Sequence, residues 1–479
     1  MDTNTSESQG FTTGFTATAL TAAELSAAYA ARRLSPVEVA KAALARIAQW
    51  EPKLNAMFIV SAEAALAQAR ASEERWRTGS PLSALDGVPV TIKENIYTKG
   101  DAAPIGTAAN KDLAAAAADA PPAARVREAG CVILGKTTMP DYGMLSSGLS
   151  SIHGLTRNPW DTKRNTSGSS SGAGAAAAAG YAPLNLGTDI GGSVRLPATH
   201  CGIFALKPSL GRVPVYPPYL GRVTGPMTRT VRDAALLMNV LSGPDARDFM
   251  NLPTENRDYS SGLESLDAKG LRIGYLPDMK TGLPVNPEVA AAAKAATKAL
   301  AEAGASVEEM PSFLTPDMLE GMTKFFEARL HNDFLQLSEE RKRKVLPFIA
   351  EWCTWRAGSF SGRDVMAAYA QVMAMREAAV NACQPYDFVI SPTSPILAYE
   401  AELACPGNDP RNALPHIAFT VPYNMSEQPA ASVNWTASKE GLPIGVQVVG
   451  RRFDDFGVLR LSRLLEKLRP AQTPWPEPA

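Results

Sequence analysis

Between Val37 and Trp50 apolar side chains recur every three or four positions, the period of a helix that buries one face. Ser35-Pro36-Val37-Glu38 introduces this segment as a capping box with proline at the first helical position, and Thr21-Ala-Ala-Glu24 is a similar start upstream. Ser61–Trp76, rich in Ala and Glu, predicts a third helix. The period then changes. Gly87–Lys93 alternates as a strand does, and Val132-Ile-Leu134 reads as another. Leu113–Ala124, Ala-rich with two prolines, is expected to start as a helix feeding that second strand. Further on, Leu271–Tyr275, Phe388–Ile390 and Ile444–Val449 are strand-like. Pro287–Ala303, the stretch over 316–369 and Gly457–Leu468 are helical in character. Helices alternating with strands predict an α/β protein.

Ser167–Gly192 breaks the pattern with Gly, Ser and Ala, the composition of a flexible linker. Two features argue against a linker. Ala173–Ala179 has high helix propensity, and Pro183–Leu186 reads as a short strand entering Gly187-Thr-Asp-Ile-Gly-Gly-Ser193. Glycines between a strand and a helix mark backbone that must approach something closely.

Composition narrows the function classes. The 479 residues are 45% hydrophobic and 20% charged, which is globular, and the length allows a large core without staples. The 47 Lys+Arg against 48 Asp+Glu give a net charge of −1, which argues against a nucleic-acid partner. The one dense basic run, Arg341–Lys344, follows Glu339-Glu340 and reads as a solvated helix face. No window reaches about 18 apolar residues, so no membrane span is expected. Residues 1–18 are polar, lack the pattern of a secretory signal and are expected to be mobile. The five cysteines are widely spaced without a Cys-x-x-Cys pair, as in a cytoplasmic protein with reduced, buried thiols. The four histidines are scattered and offer no metal-ligand spacing.

Three positions attract chemistry. Lys93 ends a strand, Ser169 lies in Thr166–Gly172, and Ser193 ends the Gly-Gly turn. A serine hydroxyl is a poor nucleophile until a base takes its proton. With no evident histidine partner, a lysine held neutral by burial can be that base. Backbone N–H groups of a Gly-Gly turn can form an oxyanion hole.

The same segments resemble the amidase signature family of serine hydrolases. The matching stretches are Gly87–Asn95, Asn158–Trp160, Ser167–Gly174, Leu186–Ala198, Cys201–Pro208, Gly225–Arg229, Ser391–Pro395 and Gly441–Gly450, in family order along most of the chain. The resemblance implies one amidase domain over 1–479, a central mixed β-sheet surrounded by α-helices. N-terminal helices would occupy 19–80, the signature core 85–230 and a variable substrate-side region 310–426. It implies a Ser–cis-Ser–Lys triad: Ser193 as nucleophile, Ser169 in a cis peptide as bridge and Lys93 as general base. Backbone N–H groups of Ile190, Gly191, Gly192 and Ser193 would form the oxyanion hole. Met144, Ser146, Ser170 and Thr188 are candidate substrate-side residues. The family's usual Gly-Gly-Ser-Ser-Gly-Gly reads Ser167-Gly-Ser-Ser-Ser-Gly172 here, so the neighbouring Ser170 is a rival for the bridging position.

The activity implied is hydrolysis of a small-molecule amide or carbamate, by a monomer or homodimer without metal or organic cofactor. A glutaminase subunit of a tRNA-dependent amidotransferase is the alternative, and a non-catalytic binding protein a remote one. Gly168-Ser-Ser-Ser-Gly172 also matches the Gly-x-Ser-x-Gly nucleophile elbow, with His331 or His416 as the base that reading requires. No strand precedes it in the pattern. Tyr142, Tyr216, Tyr219, Phe325, Phe326, Trp352 and Trp355 suggest an aromatic substrate pocket, with core packing as the competing explanation.

Overall fold

The strand-like runs converge on one sheet. In this computed structural model residues 17–478 are described, so the expectation of a mobile tail falls almost wholly outside them. The strands are β1 (Met57–Val60), β2 (Pro89–Lys93), β3 (Val132–Thr137), β4 (Leu149–Ser150), β5 (Gly154–Leu155), β6 (Leu184–Asp189), β7 (Phe204–Lys207), β8 (Val223–Thr228), β9 (Arg272–Tyr275), β10 (Ser306–Glu309), β11 (Phe388–Pro392), β12 (Ala430–Ala437) and β13 (Pro443–Gly450). Eleven of them form the sheet β1-β3-β2-β6-β8-β7-β12-β13-β11-β9-β10, while β4 and β5 make a separate hairpin. Pairing is mixed: β2 is parallel to β3 and β6, whereas β6, β8, β7, β12 and β13 run antiparallel in turn.

Helices cover both faces, so the central strands are buried throughout. All of β2, β3, β6, β8 and β13 is inaccessible. The edge strand β10 is different. Its Ser306, Glu308 and Glu309 are exposed, and charge on an edge discourages further strand pairing. Capping boxes at Thr21 and Ser35 start the first two helices as expected.

Two helical expectations are corrected. The Ala114–Ala118 run is irregular, held to the preceding loop by Gly100 N to Ala116 O and Ala116 N to Asp101 O, both 2.9 Å. The helix begins only at Pro121, because a residue before proline is pushed out of the α region. The stretch over 316–369 is several helices: Pro316–Leu335, Glu339–Lys342, Pro347–Thr354 and Gly362–Cys383. Ser338 and Ser361 act as N-caps and Pro347 takes the first helical position, which sets the breaks. In the basic run, Lys342 and Lys344 pair with Glu339 and Glu340 at 2.7 and 2.6 Å, but Arg341 turns inward to the Ala109 carbonyl at 2.6 Å. All five cysteines are free and buried. Among the described residues no helix is long and apolar enough to cross a membrane.

Candidate active site

Parallel neighbours β2 and β6, in register at Ile92 and Leu186, end at the same edge of the sheet. Such an edge is where α/β proteins place their ligands. β2 delivers Lys93. β6 runs into Ile190–Ser193, which leads to the helix Arg195–Cys201. A third segment, Thr166–Ser170, precedes the helix Ser171–Ala179. Every residue of that helix is buried, and its small side chains are what the space admits. A Cβ on Gly172 would come within 2.3 Å of the Ala56 carbonyl oxygen. Gly168 is wedged in the same way, its would-be Cβ 2.7 Å from Ser147 N and O. The Gly168–Ser169 peptide is cis. Ser170 N donates to Ser193 O at 3.2 Å, which ties the two serine-bearing segments together.

Lys93 is fully buried. Its Nζ lies 2.9 Å from Ser169 Oγ, 3.0 Å from Ser170 Oγ and 3.0 Å from Thr188 Oγ1. Burial pushes its ammonium down to about 7, only partly opposed by the charges of Asp189 and Glu94. Ser170 Oγ donates to Thr188 O at 3.2 Å, so toward Lys93 it is an acceptor. Asn95 Nδ2, 3.1 Å from Thr188 Oγ1, completes the cluster.

Asp189 organises the turn. Its carboxylate accepts from Gly192 N at 2.7 Å and Val194 N at 3.1 Å, and pairs with fully buried Arg195 at 3.1 Å. Burial alone would raise this carboxyl, but Arg195 and the hydrogen bonds from Asn424 and Val194 hold it well below the carboxylate range. Arg195 in turn reaches Thr420 O and Gln447 Oε1, both at 2.9 Å, and so fixes the turn to β13. This corrects one oxyanion expectation: the Gly192 N–H is engaged by Asp189. The amides of Ile190, Gly191 and Ser193 make no bond to that carboxylate.

A cleft of about 170 Å³ opens over this cluster. Ser169, Ser193, Thr188, Met144 and Ser146 line it, as do Ile190 and Gly191. Ser193 is part-exposed. Ser170 is fully buried behind the cleft rather than beside a substrate, and the expectation for it is corrected accordingly. Burial also removes the nucleophile-elbow reading. Among the described residues Ser170 has no histidine partner: His331 Nδ1 bonds the Cys353 carbonyl at 2.8 Å, and buried His416 makes no hydrogen bond.

Of the aromatic candidates, Tyr142 and Phe326 reach the cleft. Trp352 is core, Trp355 stacks on Arg356 with 4.5 Å to its ring centroid, and Phe325 packs against Tyr369. Sequence reasoning missed Asn95, Tyr97, Arg222 and Arg329 as lining residues. Arg329 stands in the 310–426 region and Arg222 close to Tyr219, both expected to face substrate, but a lone arginine carries no local signal. Asn95 closes the Gly87–Asn95 motif, which is the signal that could have found it.

The sheet and its cleft define a hydrolase of mixed α/β architecture. The chain belongs to the Amidase family, whose profile matches residues 38–459, and it is an amidohydrolase acting on carbon–nitrogen bonds. It is 35% identical over 488 aligned residues to a glutamyl-tRNA(Gln) amidotransferase subunit from Chloroflexus aggregans, covering 96% of this chain and 98% of that protein. Among solved structures it is similar to a bacterial aryl acylamidase of the amidase signature family, with TM-score 0.87, 28% identity and coverage of 94% and 96% of the two chains. It is also similar to 6-aminohexanoate cyclic dimer hydrolase, with TM-score 0.84, 30% identity and coverage of 95% and 98%.

Proposed function

We propose that this chain hydrolyses a small amide, or the related carbamate, through an acyl-enzyme on Ser193, with Lys93 as general base relayed by Ser169. The observation that carries the reading is a fully buried lysine, pushed down to about 7, whose hydrogen bonds go to hydroxyls. A neutral amine donates two protons and accepts one. Ser170 only accepts from it, because its own proton goes to Thr188 O. Thr188 Oγ1 also bonds Nζ, but its own proton has the Asn95 Oδ1 acceptor at 3.4 Å. Ser169, which shares the cleft with Ser193, is then the hydroxyl assigned to donate into the lone pair.

The reaction then runs in two halves. Ser193 Oγ attacks the carbonyl carbon as its proton passes to Ser169 and that of Ser169 to Lys93. The oxyanion lies against the amides of Ile190, Gly191 and Ser193, each worth about 3 kcal/mol of barrier. The C–N bond breaks as the relay returns a proton to nitrogen, which leaves as an amine or ammonia. Water attacks the ester along the same relay, releasing the carboxylic acid and restoring Ser193.

A second reading, the amidase component of an amidotransferase, is favoured by the 35% identity to such a protein over nearly the full chain. The cleft argues for a free-standing enzyme. Among the described residues that line it there is no Asp or Glu to receive the α-ammonium of glutamine. A panel of acyl anilides, primary amides and carbamates, scored by amine or ammonia release from the purified chain alone, tests the proposal. Turnover with fluorophosphonate labelling at Ser193 supports it. Inertness across the panel, with glutaminase activity gained on adding the other amidotransferase components, moves the assignment to the second reading.

A further inference from the structure

Two guanidinium groups face the cleft and, among the described residues, no carboxylate meets them. Arg222 precedes β8, and Arg329 lies on the helix Pro316–Leu335. Both line the same cleft as Ser193. Among the described residues neither makes an ion pair, although many other arginines of this chain do. Arg222 Nη1 donates to the Pro217 carbonyl at 3.0 Å. Arg329 Nη2 meets Met144 Sδ at 3.0 Å, a weak acceptor, and its Nε is buried without a hydrogen-bond partner. Both lie over one ring, Tyr219, at 5.5 and 5.0 Å from its centroid. Two like charges thus share one aromatic ring. Burial and the neighbouring Arg329 both pull Arg222 below its usual range.

The unpaired buried Nε of Arg329 is costly to keep, and beside a second guanidinium that has no carboxylate partner it invites an anion. We infer that Arg222 and Arg329 form a carboxylate clamp, so that the preferred substrate is an amide carrying a free carboxylate away from the scissile bond and no ammonium beside it. The clamp rests on the hydrolase reading above and names its substrate class. A carboxylate fits the cleft's small volume of about 170 Å³ and the planar fork of arginine. An ammonium would lie near two cations and find no acid in the lining.

Matched probes test the clamp on either side of the amide. Succinanilic acid against butyranilide places the carboxylate on the acyl part; 4-acetamidobenzoate against acetanilide places it on the amine part. The expected result is a kcat/KM preference for one acid probe of roughly tenfold to a hundredfold, the size of a charge-assisted hydrogen-bonded pair, expressed mainly in KM. Arg329→Met and Arg222→Met each collapse that ratio, while Arg329→Lys keeps part of it. Calorimetry of the same acids on Ser193→Ala reads binding without turnover. Hydrolysis with no charge preference overturns the clamp and leaves the hydrolase standing. A preference that survives the double Met variant also overturns it. No turnover of any probe, with acid binding that needs both arginines, keeps the clamp as a binding site and overturns the reading of a free-standing hydrolase of small amides.

Discussion

Ser170 Oγ stands 3.0 Å from Lys93 Nζ and 3.2 Å from Thr188 O, accepting from the first and donating to the second. In the proposed mechanism the second serine of the run therefore orients the lysine lone pair rather than joining the relay. Ser170→Ala removes that acceptor and leaves Nζ free to turn from Ser169. We expect kcat to fall about tenfold to a hundredfold with KM little changed, which is the range for loss of one positioning contact. Ser193 should still label with a fluorophosphonate, more slowly. Parallel labelling and steady-state kinetics read both effects.

Removing a member of the proposed relay should have a larger effect. Ser193→Ala and Lys93→Ala should each lower kcat by about 10⁴-fold or more, as for members of a catalytic unit. Lys93→Arg should be equally inactive, because a guanidinium does not give up its proton near neutral pH. Far-ultraviolet circular dichroism should show the fold retained in all three.

The pH dependence follows from the sign of the Lys93 shift. Burial lowers its ammonium to about 7, and only the neutral amine can accept a proton. With Lys93 as the proposed base, activity should therefore be lost as pH falls through about 7 and reach a plateau above it. A single ionisation near that value in kcat/KM is the expected profile. An acid limb near the range of free carboxylates, with a flat response around neutrality, would contradict the role given to Lys93.

Asp189→Asn tests the support of the nucleophile turn. Asp189 and Arg195 are both fully buried, and Asp189 also takes the Gly192 and Val194 amides. Breaking such a pair leaves an uncompensated guanidinium and costs about 3–5 kcal/mol. A clearly lower thermal midpoint and loss of turnover are expected, both measurable on the purified variant.

How much of this was legible in the sequence differs between the two halves of the site. Lys93, Ser169 and Ser193 sit at a strand end, in a serine run and after a Gly-Gly turn, all local patterns. The strands that locate them were visible too, because β2 alternates, β3 opens on the apolar run Val132–Leu134, and β6 begins at Leu184 just after Pro183. β7, β8 and β12 were passed over. β8 contains Gly225 and Pro226, which argue against a central strand, and β12 mixes Ala, Ser, Asn and Thr. Their strand character comes from neighbours on both sides. The cleft was least legible. Arg222 and Arg329 lie over a hundred residues apart and meet only because the helix Pro316–Leu335 packs over the loop before β8. Whether Gly192 N–H is free likewise depends on how Asp189 turns, which spacing does not reveal.

Stability should carry the same proton signature as activity. The unfolded chain holds Lys93 at a pKa of about 10.4, the native chain at about 7. Between those values the unfolded state binds the extra proton, so native stability rises with pH across the window and is flat, for this group, below it. Lys93→Met deletes the group from both states. Lys207 and Lys136, pushed down by burial to about 7 and about 8, remain in both proteins and cancel in the comparison. The variant should therefore gain relative to wild type at pH near 7, by on the order of a few kcal/mol, and the gain should shrink toward pH 10. Orphaned hydroxyls of Ser169, Ser170 and Thr188 shift the whole difference by a constant without altering its slope. Thermal midpoints of both proteins across this range measure it. A difference that does not change with pH would mean that Lys93 keeps its proton in the fold, and the relay would then lack its base.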